Sequence, residues 1–369
     1  MAATRIPATV ITGFLGAGKT TLIRNLIQKV DGQRLALIVN EFGDVGVDGE
    51  VLSSCNAPGC SEDDIIELAN GCICCTVADD FLPSIQTLLA QTPPPDHIII
   101  ETSGLALPQP LVQAFNWPDI KSKVMLDGVV TVVDGAALAD GDVVADHDAL
   151  EAQRQADPEL DHETPVEHLF HDQVSAANLL VVSKGDLIDD AAQTRVTAQL
   201  KDLTEDQTPV LMTTGQGAPL AAIFGLGLED EAFARSKDYH HHHHHDHDDD
   251  HHHDDDHGHE HDHDGDHDHH HHDHDHGHDD FISTVISIPE IDDHDAFVAR
   301  LKDQAKAHGL LRAKGFLKVK GKALPLVVQA VGARVDHYFG GSLDGDQGQL
   351  VLIGLKTIDL DQLTAALQA

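Results

Sequence analysis

The sequence predicts an α/β protein: a mostly parallel, helix-covered sheet, then a disordered His/Asp-rich tract, then a small α+β domain. Three observations predict this order. Near-continuous apolar runs alternate with helical patterns up to residue 228, which is typical of strands covered on both faces. Residues 240–280 contain only His, Asp, Glu and Gly, and an alternating apolar pattern returns at residue 281. We therefore expect domains at residues 1–228 and 281–369, separated by a metal-binding linker at 229–280.

The periodicity of apolar residues predicts the individual elements. In the first domain we expect strands at residues 6–12, 34–40, 97–103, 128–134 and 178–183. Helices are expected at residues 21–30, 79–91, 109–116 and 190–203. The acidic, alanine-rich segment 136–172 interrupts this rhythm and is predicted to be a partly helical insertion. In the last domain we expect strands at residues 281–288, 315–320, 324–331 and 349–355, with helices at 295–308 and 359–367.

A glycine-rich motif lies between the first strand and the first helix. Residues 13–20 read Gly-Phe-Leu-Gly-Ala-Gly-Lys-Thr and fit the P-loop pattern G-x-x-x-x-G-K-[ST]. In such a loop backbone N–H groups cradle phosphates, the lysine reaches the terminal phosphates, and the threonine hydroxyl ligates Mg²⁺. We expect Lys19 to face solvent when the loop is empty. The predicted nucleotide-binding residues are Gly13, Gly16, Ala17, Gly18, Lys19, Thr20 and Thr21.

Acidic residues beyond the P-loop are candidate Mg²⁺ ligands. Glu101 ends a hydrophobic strand and is followed by Gly104, as in a Walker B region, where the carboxylate faces Mg²⁺ and the glycine allows a switch to pivot. We predict that Glu101 and Lys19 are the catalytic residues and that Thr20, Glu101 and Asp48 hold Mg²⁺. Glu41 is a further candidate metal ligand in the same acidic loop as Asp48, although a solvated loop remains the alternative.

A second nucleotide motif closes a later strand. Residues 183–186 read Ser-Lys-Gly-Asp and stand in the place of N-K-x-D, whose aspartate accepts hydrogen bonds from guanine. We therefore expect GTP to be read by Ser183, Lys184 and Asp186. Because a serine hydroxyl offers one donor where an amide offers two, discrimination against adenine is expected to be softer. An unrelated Lys-x-Asp turn is the alternative.

Clustered thiols indicate a site for a transition metal. Cys72, Cys74 and Cys75 put three thiols into four residues, and three protein ligands leave one coordination position open for transfer. We predict that they hold a transferred transition-metal ion, with inert buried thiols as the alternative. Cys55 and Cys60 are either auxiliary ligands or incidental.

The tract between residues 240 and 280 has the composition of a metal reservoir. It contains 22 histidines, 16 acidic residues and no lysine or arginine. Imidazole is a favoured ligand for Zn, Cu, Ni and Co ions. A purification tag or a solvated spacer is the alternative, but this run is internal and continues well beyond six residues. The tract begins with six consecutive histidines, and we predict that they are low-affinity metal ligands. They are His240, His241, His242, His243, His244 and His245.

The net charge and the hydropathy of the chain limit the classes of partner that we expect. The formal net charge is −40, and the sequence outside the tract still carries about −24, since 47 acidic residues face 23 basic ones. Such a surface repels nucleic acid and anionic membranes, so we expect neither as a partner. No apolar run approaches the roughly 20 residues that span a bilayer. The first strand begins within a few residues of the N-terminus, which leaves no room for a signal peptide. We expect a cytoplasmic location.

Together these motifs resemble the CobW family of P-loop GTPases. The resemblance covers nearly the whole chain and rests on the P-loop, the Asn-Glu-Phe-Gly sequence at residues 40–43 and the Asn-Gly-Cys-Ile-Cys-Cys sequence at 70–75. The Glu-Thr-Ser-Gly-Leu-Ala sequence at 101–106, the guanine motif, the histidine tract and the C-terminal domain complete it. The resemblance implies a GTP-gated metallochaperone with slow, metal-stimulated GTP hydrolysis and a C-terminal domain of βαβ-type layers.

The sequence at residues 76–81, 126–134 and 152–158 resembles family members that act in aerobic cobalamin synthesis. This resemblance implies delivery of Co(II) to a protein acceptor, a subunit of cobaltochelatase. Zinc-handling relatives share the same core motifs, so zinc delivery to a zinc enzyme remains an alternative. A metal-storage protein with a regulatory GTPase domain is the third possibility. The sequence leaves open whether the chain forms a homodimer.

Overall fold

The computed structural model describes residues 5–30, 33–40, 65–68, 81–156, 165–204, 208–213, 220–224, 281–340 and 347–369. Several predicted site residues lie outside these ranges. They are Glu41, Asp48, Cys55, Cys60, Cys72, Cys74, Cys75 and the histidines of the tract, including His240 to His245.

The N-terminal part of the chain forms a parallel sheet of seven strands in the order β3-β2-β4-β1-β5-β6-β7. The strands are β1 (Ile6–Thr12), β2 (Leu35–Asn40), β3 (Ile65–Leu68), β4 (His97–Glu101), β5 (Val124–Asp134), β6 (Leu179–Ser183) and β7 (Val210–Met212). The prediction of a mostly parallel sheet is confirmed. The sequence analysis missed the short strands β3 and β7 and began β5 four residues too late.

Helices cover both faces of this sheet. They are α1 (Lys19–Ile27), α2 (Leu82–Ala90), α3 (Gln109–Ala114), α4 (Pro118–Lys121), α5 (Gly135–Ala139), α6 (His147–Ala156), α7 (Val166–Ser175), α8 (Asp190–Leu203) and α9 (Leu220–Phe224). On one face α1 buries Leu22 and Leu26 against Ile11 of β1, and on the other α2 buries Ile85 against β4. All eleven residues of β5 are buried.

Segment 136–172, expected to be an insertion, contains most of α5, all of α6 and much of α7. Helical structure in this segment agrees with the expectation. These helices connect β5 to β6, and two neighbouring parallel strands need such a crossover. The segment therefore contains the crossover that connects β5 to β6, in addition to any surface that it adds to the domain.

The C-terminal part forms a second sheet of five antiparallel strands in the order β11-β10-β9-β12-β8. Its elements are β8 (Phe281–Ile288), α10 (His294–His308), β9 (Leu310–Leu317), β10 (Leu326–Val331), β11 (Arg334–Phe339), β12 (Gly348–Leu355) and α11 (Leu360–Gln368). Because β12 pairs antiparallel with both β8 and β9, the β8-α10-β9 segment is a βαβ unit with a strand inserted. This agrees with the layers that the family resemblance implied.

Two features of the C-terminal domain differ from the prediction. The second strand was expected at residues 315–320 but lies at Leu310–Leu317. Gly309 ends α10 with a left-handed φ of 64°, so the chain reverses and enters β9 at the next residue. Strand β11 was not predicted, because all six of its residues are only partly buried and its polar residues obscure the alternation.

A buried polar network joins the two sheets. Arg312 of β9 forms an ion pair with Asp127 of β5, and both residues are at most 5% exposed. The Arg312 guanidinium also donates to the Ile223 carbonyl at 2.9 Å. Thr9 Oγ1 donates to Asp127 at 3.4 Å and lies 2.8 Å from His97 Nε2. Breaking a buried ion pair costs about 3–5 kcal/mol, so this network stabilises one relative arrangement of the two domains.

The apolar core is also continuous across the two domains. Leu311 and Val331 of the C-terminal sheet belong to the same cluster as Ile11 and Val130 of the parallel sheet. In the described residues, no helix is long and apolar enough to cross a bilayer.

Candidate nucleotide and metal site

The P-loop connects β1 to α1, and the φ angles of all three of its glycines, Gly13, Gly16 and Gly18, are positive. Gly13 has a φ of 134°, and a Cβ there would lie 2.1 Å from the Val132 carbonyl oxygen. Gly18 caps α1 in a left-handed conformation with a φ of 94°. The backbone therefore turns sharply and presents the N-terminus of α1 at the end of β1, which is the arrangement that binds phosphate.

Lys19 is buried, not solvent-facing as the sequence analysis expected. Its side chain is 7% exposed, and Nζ donates to the carbonyl oxygens of Gly13 at 2.7 Å and Phe14 at 3.1 Å. The loop carbonyls thus hold the ammonium group inside the curve of the P-loop. The positive charge therefore lies next to the P-loop backbone, where a phosphate-binding lysine is expected.

Thr20 and Glu101 meet at the carboxyl edge of the parallel sheet. Thr20 Oγ1 donates a 2.9 Å hydrogen bond to Glu101 Oε1, and Glu101 is 7% exposed at the end of β4. Next to this pair, Thr102 Oγ1 donates to Thr12 Oγ1 at 2.8 Å. A hydroxyl and a carboxylate at one point are hard oxygen donors of the kind that Mg²⁺ prefers. Thr21 lies in the same turn of α1 but is exposed.

The loop after β4 packs directly on the P-loop. A Cβ on Gly104 would lie 2.6 Å from the Leu15 backbone nitrogen, so this close approach explains the glycine. Gln173 of α7 donates from Nε2 to the carbonyl oxygens of Gly104 and Ala106, both at 3.0 Å. The sequence analysis assigned Gly104 to a pivoting switch, whereas in this conformation the loop is clamped between the P-loop and α7. It missed Gln173, a polar residue buried on an otherwise amphipathic helix.

Ser183 contacts the P-loop backbone. Its hydroxyl donates to the Ala17 carbonyl at 2.7 Å and lies 3.2 Å from the Val133 carbonyl. A Cβ on Gly18 would lie 3.8 Å from Ser183 Oγ, so this serine packs against the start of α1. The expectation was a direct base contact. In this structure the Ser183 hydroxyl contacts the P-loop backbone, and its contact with the base stays a prediction.

The rest of the guanine motif follows β6 as a tight turn. Lys184 has a φ of 57°, and its ammonium group lies 2.5 Å from Asp134 Oδ2. Asp186 is exposed in the short 3₁₀ helix Gly185–Leu187. Asp134, which ends β5, also accepts hydrogen bonds from the backbone nitrogens of Ala136 and Ala137 at 3.1 Å each. Sequence reasoning missed Asp134, although an acid ending an apolar run before a short helix is a typical N-cap signal.

Comparison with protein-family models decides the family. Residues 7–211 match the model described as "CobW/HypB/UreG, nucleotide-binding domain", and residues 281–369 match "Cobalamin synthesis protein cobW C-terminal domain". The chain belongs to the CobW/HypB/UreG family. Membership of this family of P-loop GTPases makes the chain a GTPase, as the P-loop and the guanine motif predicted.

Named relatives of this CobW-family chain extend over its full length. A protein of Sinorhizobium sp named "Zinc chaperone CobW" is 50% identical over 370 residues, covering 99% of this chain and 97% of the relative. A Pseudomonas aeruginosa protein of the same name is 40% identical, covering 99% and 90%. Among solved structures, the Zn(II)-bound YjiA GTPase from E. coli matches at 21% identity with a TM-score of 0.40, covering 98% of each chain.

The residues of this CobW-family site fit GTP and Mg²⁺. The P-loop leaves no room for a side chain at Gly13, the Lys19 ammonium group is preset by two carbonyls, and Thr20 and Glu101 present their oxygens together. Hydrolysis needs this combination, because catalysis of phosphoryl transfer consists largely of positioning and charge stabilisation.

Proposed function

We propose that this chain is a GTP-dependent zinc chaperone that holds Zn²⁺ on Cys72, Cys74 and Cys75 and releases it to a protein acceptor when GTP is hydrolysed. The class of GTP-dependent metallochaperone is supported by the family and by full-length relatives named as chaperones. The name of these relatives, "Zinc chaperone CobW", supports zinc as the cargo. This differs in emphasis from the sequence analysis, which favoured cobalt and kept zinc as the alternative.

The topology of the parallel sheet carries this proposal. Strand β3 runs parallel to β2 and ends at Leu68, so its carboxyl end lies at the same edge as Glu101 of β4. Only β2 separates β3 from β4, which corresponds to about 10 Å at the usual strand spacing. Cys72 follows Leu68 by four residues, and four residues extend at most about 14 Å. On this proposal Cys72 is within about 14 Å of the end of β3, at the edge that carries the nucleotide site.

Each part of the nucleotide site has a role in this proposal. The N-terminus of α1 and Lys19 bind the phosphates, while Asp186 reads guanine from its exposed turn. Thr20 and Glu101 would hold Mg²⁺, with Asp48 as a further ligand, and bound Mg²⁺ would neutralise charge on the phosphate oxygens. Ser183 maintains the P-loop, and Lys184 is oriented by Asp134.

Cobalt is the second candidate cargo, because the C-terminal domain matches a model described as that of a cobalamin synthesis protein. In this version the acceptor is a cobaltochelatase subunit. Divalent affinity rises from Co²⁺ to Zn²⁺ on most ligand sets, so thiolates alone do not favour cobalt. Selection of cobalt then requires nucleotide-dependent geometry and metal availability in the cell.

A competition titration tests the proposal. Full-length protein competes with a chelator for Zn²⁺, and separately for Co²⁺, in the presence of GTP·Mg²⁺, of GDP or of no nucleotide. We expect metal affinity at least ~30-fold higher with GTP than with GDP, about 2 kcal/mol, which is within the usual range of coupling energies. The histidine tract binds metal in every state, so the difference between states isolates the coupled site.

Two sets of variants sharpen this test. Cys74→Ser should abolish the nucleotide dependence and leave the tract's weak binding, whereas Cys55→Ser and Cys60→Ser show whether those thiols participate. A GTP-dependent gain seen with Co²⁺ but not with Zn²⁺ would favour the cobalt version. Identical affinity in all nucleotide states would contradict chaperone function and favour a metal store with a regulatory GTPase domain.

A further inference from the structure

We infer that His294, Asp295 and His337 form a separate site in the C-terminal domain for a divalent transition-metal ion of the Zn²⁺ class. Each of these residues offers one ligand atom, and the three atoms lie within 4.8 Å of one another. This site shares no residue with the nucleotide site or with the C-x-C-C motif, so the inference does not depend on the proposed function.

Two secondary-structure elements bring the ligands together. His294 and Asp295 begin α10, where the Asp293 side chain accepts hydrogen bonds from the backbone nitrogens of Asp295 and Ala296 at 2.9 and 3.2 Å. This cap holds the first turn of the helix in place. The ligand pair therefore sits on a rigid support rather than on a loop.

The third ligand comes from β11, across from the helix. His337 pairs with the buried Val328 of β10, and its neighbours at alternate positions, Val335 and Phe339, pack against the core that α10 covers. Because side chains alternate along a strand, His337 points to the same face as these two residues. It thus approaches the start of α10 from the sheet side.

The two imidazole rings are close and have few competing partners. Their centroids are 5.9 Å apart with planes at 68°, and the Phe339 ring lies 5.2 Å from the His294 ring. His294 Nε2 is 3.5 Å from Asp295 Oδ1, longer than a good hydrogen bond. Within the described ranges, His337 forms no hydrogen bond through its ring. The ring nitrogens are therefore available to a metal ion.

Two imidazoles and one carboxylate are a ligand set typical of Zn²⁺ sites that keep an open coordination position. Ligand atoms around a tetrahedral zinc lie about 3.3 Å apart, given bonds of about 2.0–2.1 Å, so small side-chain rotations close this set. The Asp295 side chain is 79% exposed and the His294 side chain 27%. Metal can therefore enter from solvent and leave again, as exchange with another ligand requires.

Residue-resolved chemical modification of the full-length protein tests this site. Histidines are modified with diethyl pyrocarbonate while a chelator buffers free Zn²⁺, without nucleotide, and each histidine is followed by peptide mass spectrometry. We expect His294 and His337 to become protected together, by about 10-fold at a free zinc concentration ten times the half-saturating value. His308, at the other end of the same helix, is the internal control and should react at an unchanged rate.

Ligand variants separate metal binding from simple ring packing. Asp295→Asn should shift the protection of both histidines to higher concentrations of free zinc. His294→Asn should remove the zinc-dependent protection of His337, while the reactivity of His337 without metal should change by no more than a small factor. His308→Asn should leave both curves unchanged. The same result in a Cys74→Ser background would show that this site is independent of the thiol site. Protection that is absent, or that occurs at different zinc concentrations for the two histidines, overturns the inference.

Discussion

The Thr20 hydroxyl donates a 2.9 Å hydrogen bond to Glu101 Oε1, which joins the first turn of α1 to the end of β4 across 81 residues of sequence. Strand β4 extends from this contact back to His97, which lies 2.8 Å from Thr9 in the network that reaches Arg312. A single five-residue strand thus connects the nucleotide site with the boundary between the two domains.

We expect Glu101→Gln to lower GTP hydrolysis by roughly 100-fold, as loss of a group that stabilises transition-state charge does. The amide oxygen can still accept from Thr20, so the fold and thermal unfolding should change little. Phosphate release measured over a range of Mg²⁺ concentrations checks this, and the variant should need more Mg²⁺. Hydrolysis at the parent rate would remove Glu101 from the catalytic residues.

Lys19→Ala should lower GTP affinity by at least ~30-fold, since truncating a buried charge partner costs about 2–5 kcal/mol. The parent lysine is held by two loop carbonyls, and water can hydrate these once the side chain is gone. Titration with a fluorescent GTP analogue measures the loss. Lys29→Ala, an exposed lysine just beyond α1, is the matched control and should bind as the parent does.

Ser183→Ala should lower the affinities for GTP and GDP equally, by about 5-fold. The substitution removes one hydroxyl that contacts two backbone carbonyls, and the net contribution of such a hydrogen bond is about 1 kcal/mol. The preference for GTP over ATP should stay the same if Ser183 acts only on the P-loop. Competition between GTP and ATP separates the two roles, with the exposed Ser175→Ala as control. A selective loss of guanine preference would instead restore the base-reading role.

Asp186→Asn should reverse the base preference, because the amide presents a donor where guanine offers donors of its own. We expect GTP affinity to fall by at least ~10-fold and xanthosine triphosphate to become the better ligand. Competition among GTP, ATP and xanthosine triphosphate provides the measurement. Asp202→Asn, exposed at the far end of α8, should bind all three as the parent does. Equal competition by ATP in the parent protein would contradict the guanine assignment.

His97 predicts a dependence of stability on pH. The pKa of His97 is lowered from 6.5 to about 3, chiefly because burial disfavours the charged imidazole; Asp127 opposes this lowering, and Arg312 and Lys314 add to it. The unfolded chain therefore takes up a proton below about pH 6.5 that the folded chain refuses. As the pH is lowered from 6.5 to 3, protonation of His97 should reduce the free energy of unfolding by about 1.4 kcal/mol per pH unit. Above pH 6.5 His97 should make no contribution to the pH dependence of stability.

Denaturant unfolding of the parent and of His97→Gln from pH 5 to 8 measures this contribution. The variant should lose most of the slope below pH 6.5, although it is less stable at pH 7. His147→Gln is an informative control, because the bond to Asp142 raises the pKa of His147. Its contribution has the opposite sign, being present at low pH and lost as pH rises through the raised value. Parallel pH profiles for parent and His97→Gln would contradict the assignment.

Local patterns were sufficient for the parts of the protein in which one segment carries the whole signal. The P-loop between β1 and α1, the strands β1, β2, β4 and β6 and the capped helix α8 all lie close to their predicted positions, since their apolar patterns and capping residues are local. Short strands such as β3 and β7 were missed, because four or three residues contain too little periodicity and depend on pairing with a neighbour.

What the residues of the site contact depended on the folded chain. Nothing near Ser183 in the sequence indicates that its hydroxyl would lie 2.7 Å from the Ala17 carbonyl, because the sheet brings together residues 166 positions apart. The pairing of Lys184 with Asp134 and the meeting of His294 with His337 arise in the same way. Residue type and spacing defined which chemistry was available, while strand order and helix packing decided which groups meet, since those contacts form between segments distant in the sequence.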